Sequence, residues 1–163
     1  MTAGSTDSGA AGVGVRVIGG HKLEIALQSL AAKINNASEL KVGFLEGVRY
    51  PATASGKSVS VAQVAFWNEF GTKRAPARPF FRNTVAEQSA KWGRGLAKLV
   101  VQTNYDGEKS LTLLGTEMKN DIVTSIVRWP ADNAPSTVSR KGFNKGLIDT
   151  GVMQRNVDYK VGT

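Results

Sequence analysis

The sequence predicts an α+β fold: a small mixed or antiparallel sheet of two to four strands packed against about four helices, preceded by a flexible N-terminal arm. Two observations carry this expectation. Apolar residues recur at helical spacing over several long stretches, and short runs of alternating β-branched and aromatic residues stand far apart near either end. A length of 163 residues suits one hydrophobic core rather than two, and no internal repeat is evident. With 41% hydrophobic and 21% charged residues, the composition is that of a globular chain rather than a disordered one.

Residues 1–21 read as the arm. Six of the eighteen glycines fall in the first twenty residues, and only Val13, Val15 and Val17 alternate as an edge strand would. Residues 22–163 read as a single domain. From Lys22 to Asn36, Leu23, Leu27, Leu30 and Ile34 fall on one helical stripe, with Asn35-Asn36 as a stop. Leu40, Val42, Phe44 and Leu45 form a strand-compatible run, and Gly47 to Ser58 reads as a loop. Ser60 and Gln63 have capping-box spacing and open a short helix that ends at Gly71.

Pro76 and Pro79 push Ala75 and Arg78 toward extended backbone, so Thr72 to Pro79 should be a stiff, exposed linker. Pro79 suits the first position of the next helix, whose buried stripe is expected at Phe81, Val85, Trp92, Leu96 and Leu99; Thr84 and Glu87 offer a competing capping box. Asp106 caps a further helix in which Leu111, Leu114, Met118, Ile122 and Ile126 form the clearest stripe of the chain. Trp129-Pro130 ends it. Pro130 to Gly146 is rich in breakers and reads as a long, mobile loop that orders on assembly, Leu147 to Gly151 as a turn, and Val157, Tyr159 and Val161 as a last strand.

Familiar catalytic constellations each lack a member. There is no cysteine, and the single histidine, His21, has neither companions for a metal site nor a G-x-S-x-G serine. Gly56-Lys57-Ser58 resembles the end of a phosphate loop, but Pro51 stands where that loop needs its first glycine. Ser38 and Lys41 have S-x-x-K spacing without the accompanying S-D-N and K-T-G segments, and the thirteen acids are scattered rather than paired. No enzyme activity, metal or cofactor is expected. No apolar run is long enough to span a bilayer, the N-terminus lacks the pattern of a secretory signal, and no membrane partner is expected.

Charge is concentrated. Twenty-one bases against thirteen acids give +8, and between Lys73 and Lys98 seven bases face Glu87 alone, a balance of +6. Lys91, Arg94 and Lys98 cluster on the helix side opposite the apolar stripe and are candidates for phosphate contact; the alternative is a solvated surface.

Asn68-Glu69-Phe70-Gly71-Thr72, followed by Pro76-Ala77-Arg78-Pro79-Phe80-Phe81-Arg82, resembles the N-E-F-G-T and P-x-R-P-F signature of tailed-phage neck and tail-completion proteins, including minor tail proteins of the Z type. Leu147, Asp149, Thr150, Gly151 and Met153 are similar to that family's ending, and Val42 to Pro51 to the strand and loop before its signature. The resemblance implies that residues 22–163 form a tail-completion-like domain of a virion protein from a long-tailed double-stranded DNA phage. It implies a ring of about six copies closed by head-to-tail contacts, at the neck or tail end, assembled in the host cytoplasm. The implied partners are further copies of the chain, the tail terminator, tail tube or sheath and head–tail connector proteins, and the genomic DNA passing through the channel. Glu69, Arg78, Arg82, Arg140, Lys141 and Lys145 are the candidate subunit or partner contacts, with a Glu69 pair inside the chain as the alternative for the arginines. The alternative function is a basic nucleic-acid-binding module acting in solution.

Overall fold

A computed structural model describes residues 20–45, 47–52, 56 and 58–162. In chain order the elements are α1 (Gly20–Ile34), β1 (Glu39–Phe44), α2 (Val61–Phe70), α3 (Phe80–Gln102), α4 (Gly107–Arg128), α5 (Pro135–Lys141), α6 (Val152–Arg155) and β2 (Val157–Gly162). The class is α+β, as expected. The arm before Gly20, with its Val13–Val17 run, lies outside the described residues.

α3 and α4 pack together along much of their length, and α4 carries the sheet on another side. Their connection needs two left-handed residues, Asn104 (φ 55°) and Tyr105 (φ 63°), of which asparagine tolerates this conformation best. Asp106 then caps α4 by accepting from the Lys109 N–H at 3.0 Å. Asn36 clamps the same turn, donating to the Asp106 carboxylate at 3.0 Å and accepting from the Glu108 N–H at 2.8 Å. Thus the residue expected to stop α1 also fastens it to the start of α4.

β1 and β2 pair antiparallel, Leu40 opposite Val161, Val42 opposite Tyr159 and Phe44 opposite Val157. Among the described residues the sheet has these two strands. The core beneath it joins Val61, Ala65, Phe80, Ile122, Ile126, Leu147, Met153 and Val157. Phe80 is 1% exposed, its ring edge-on to Phe44 with centroids 6.2 Å apart, and its burial contributes about 1.5–3 kcal/mol.

α4 can lie this close to the sheet because Gly115 has no side chain: a β-carbon there would stand 2.6 Å from Tyr159 Cδ2 and 2.9 Å from Leu40 Cδ1. Gly115→Ala is expected to lower stability by about 1–2 kcal/mol, overpacking outweighing the better helix propensity of alanine. A urea midpoint unchanged or raised would show that the Tyr159 ring can yield.

Three expectations need correction. The buried positions of α3 are Phe80, Thr84 and Trp92, while Phe81 is half-buried and Val85 is 39% exposed. The stripe is displaced by one residue over the first turns, Phe80 taking the core place edge-on to Phe44, and Pro79 is the N-cap rather than the first helical residue. Thr84 tolerates the core by donating its hydroxyl to the Phe80 carbonyl at 2.7 Å, so the Thr84–Glu87 box is unused. In α1, Leu27 and Ile34 lie exposed and Leu30 half-buried, because the helix rests on the margin of α4 rather than on the core. Finally, residues 130–146 are not a continuous loop: Pro135 starts α5 and Gly142, left-handed at φ 78°, ends it.

Candidate assembly interface

The two halves of the Asn68–Arg82 motif form one braced corner. Ser60 caps α2 by accepting from the Gln63 N–H at 3.1 Å, as its spacing predicts. At the far end, Gly71 takes φ 77° and ψ 178°, and Thr72 and Ala75 close a tight turn through the Thr72 N–H to the Ala75 carbonyl at 2.9 Å. The chain then folds back beside α2, the Arg78 N–H donating to the Asn68 carbonyl at 2.6 Å.

This return places the start of α3 against Glu69. Pro79, at the N-cap, offers no side-chain acceptor, so the first N–H groups of α3 need one from elsewhere. Glu69, 7% exposed, supplies it: its carboxylate accepts from the Phe81 N–H at 3.0 Å and the Arg82 N–H at 3.2 Å. Arg82 closes the arrangement, with Nε 3.2 Å from the same carboxylate, Nη2 donating to the Glu69 carbonyl at 3.0 Å, and the guanidinium 5.1 Å from the Phe70 ring centre. A negative charge at the positive end of the helix dipole adds to the brace.

Arg78 turns the other way. Its side chain is 12% exposed and reaches Asp132 at 2.8 Å, Asn68 Oδ1 at 3.4 Å and Asn133 Oδ1 at 3.5 Å. The stiff-linker arginine expected to project outward is therefore drawn inward by an acid from the 130–134 segment. Burial tends to raise the Asp132 pKa, but hydrogen bonds from Arg78 and Trp129 Nε1 outweigh it and hold the carboxyl below its ordinary 3.8. A carboxylate with a lowered folded-state pKa stabilises above its unfolded pKa and loses that contribution as pH falls through the folded one. The stability gap between the native protein and Asp132→Asn should accordingly be full at neutral pH and shrink below about pH 4. Urea titrations at several pH values would reveal it, and a gap constant down to pH 2 would contradict the ion pair.

The remaining candidates are spread more widely. Arg140 stands 3.6 Å from Asp149, both exposed, while Lys141 donates to the Lys145 carbonyl at 2.7 Å and lies over the Phe143 ring. Burial lowers the Lys141 pKa, Asp149 opposing and Arg140 and Arg78 adding to the shift. Lys145 is exposed. On α3, Lys91 is paired with Glu117 at 3.0 Å and Asp121 at 3.3 Å, and Asp121 also accepts from Trp92 Nε1. Arg94 and Lys98 are exposed and make no ion pair among the described residues. The basic face is thus partly neutralised by α4.

An apolar surface on the same corner escaped the motif-based reading. Phe66, Trp67 and Phe70 are 59%, 40% and 56% exposed, and the rings of Phe66 and Phe70 lie 4.7 Å apart. Beside them runs a groove of about 280 Å³ between Phe44, Ala65 and Phe81, rimmed by Arg82. The signal was present: α2 reads VAQVAFWNEF, apolar on more sides than one core-facing stripe requires. Among the described residues no three metal-ligating side chains converge, and no helix is long and apolar enough to cross a membrane. No protein-family model, curated protein or solved structure matches this chain.

Proposed function

We propose that the protein is a structural component of a long-tailed double-stranded DNA phage, forming a ring at the neck or tail end that completes the tail and joins it to the head. The observation that supports this best is the exposed Phe66–Trp67–Phe70 surface, mounted on a corner whose backbone Glu69, Gly71 and Arg78 hold fixed. Contiguous exposed aromatics rimmed by arginine have the composition of the centre of a protein interface. Seated on a preordered frame, they lose little conformational freedom on docking. The motif's resemblance supplies the kind of assembly, and the copies would meet head to tail, by heterologous contacts around a closed ring.

Light scattering on the native chain and on a Phe66→Asp, Phe70→Asp double variant tests this reading. The native chain is expected to associate, and the variant to stay folded by circular dichroism yet remain monomeric and fail to yield joined particles. The solution nucleic-acid-binding reading draws on exposed Arg94 and Lys98. A strictly monomeric native chain that binds duplex DNA, with affinity falling steeply as salt rises, would replace the ring with that reading.

A further inference from the structure

On the other side of Arg78 lies a polar recess of about 270 Å³, lined by the end of α2, α5 and the segment leading to α6. We propose that this recess binds a carboxylate, presented on a side chain of a neighbouring protein. Arg78, Asn133, Arg140 and Lys141 line it together with Asp149.

Asn133 Nδ2 is buried and has no hydrogen-bond partner among the described residues. Asn133 Oδ1 lies 3.5 Å from Arg78 Nη2, an orientation favoured because turning the amide over would set an NH₂ group against a guanidinium. A buried donor left unpaired is costly, and a small turn of the Asn133 side chain toward an anion in the recess that it lines recovers the loss. The charges agree: Arg78, Arg140 and Lys141 against Asp132 and Asp149 leave one positive charge, which a single carboxylate cancels. Lys141 uses one of its three donor positions on the Lys145 carbonyl, and its crowding by Arg140 and Arg78 is relieved by a nearby anion.

Shape favours a carboxylate over a nucleic-acid phosphate. A side-chain carboxylate hangs from one tether and can enter a recess, whereas a phosphodiester is held on both sides by sugars. That the carrier is a neighbouring protein rests on the assembly role proposed above; the recess itself does not.

Acetate and dimethyl phosphate carry the same single charge and stand in for the two sources. Each is titrated at constant ionic strength into the ¹⁵N-labelled full chain carrying Phe66→Asp and Phe70→Asp, which is expected to stay monomeric, while the side-chain amide of Asn133 is followed by NMR. Acetate should shift that signal saturably, about tenfold more tightly than dimethyl phosphate. Lys141→Met should weaken the acetate response by about tenfold. The backbone amides of Thr137 and Ile148, which also line the recess, should shift with acetate as well, and should lose that response in Asn133→Leu. A non-saturating acetate response, or one untouched by Lys141→Met, would overturn the site. Dimethyl phosphate binding as tightly as acetate would assign it to phosphate instead. Because the titration reads the isolated chain, its failure sinks the recess without touching the ring, and failure of the ring leaves the recess standing.

Discussion

Glu69→Ala should cost about 3–5 kcal/mol of folding stability, far more than its place beside an exposed arginine suggests. The carboxylate does the work of a helix cap from a different helix. Removing it strands the Phe81 and Arg82 N–H groups at the start of α3, beside a proline that cannot replace it. Hydrogen bonds to a charged acceptor contribute about 1.5–3 kcal/mol each, and the lost charge at the helix N-terminus adds to the deficit. Arg82→Ala should cost less than about 1 kcal/mol, since that side chain is 54% exposed and its pairing is screened. Glu69→Gln, keeping one acceptor oxygen, should fall between. Urea unfolding of the three variants measures this ordering; an alanine effect no larger than that of Arg82→Ala would mean that α3 does not depend on Glu69.

Gly71→Ala should be similarly damaging, by about 3 kcal/mol, through the backbone alone. At φ 77° and ψ 178° the residue occupies a region essentially reserved for glycine. A β-carbon would also stand 2.8 Å from the Ala77 nitrogen and 3.0 Å from the Ala75 oxygen, neither of which can rotate away. Gly142→Ala is the matched control: φ is 78° with ψ 0°, nothing lies within 4 Å, and only the left-handed penalty of about 1 kcal/mol remains. Equal thermal shifts for the two would show that the turn at Thr72–Ala75 adapts freely.

Much of the architecture was legible because local rules and tertiary demands agreed. Ser60 and Asp106 cap where their spacing places them, Gly71 ends α2, and the alternation of Val157, Tyr159 and Val161 forms the strand that pairs with β1. Where they diverged, tertiary structure prevailed. Phe80 and Phe81 are equally apolar, so local pattern cannot say which one turns inward, and packing against Phe44 selects Phe80. Leu27 satisfies a helical period without finding a surface to cover. At the site, the pairing of Glu69 with Arg82 lay among the alternatives, but Asp132 as the partner of Arg78 lies 54 residues away and carries no local signal.

The sheet joins distant parts of the chain, with Leu40 and Val161 lying 121 positions apart. Closing such a span forfeits on the order of 4 kcal/mol of chain entropy, whereas the short connection between α3 and α4 closes at small cost. Folding should therefore begin at the helical pair, with strand pairing last and slow. During synthesis β1 leaves the ribosome early and waits unpaired until residues beyond Val157 emerge, an interval in which nascent chains are vulnerable to sticking edge to edge. Lys41, exposed in the middle of that waiting strand, is the kind of charge that keeps it soluble until its partner arrives.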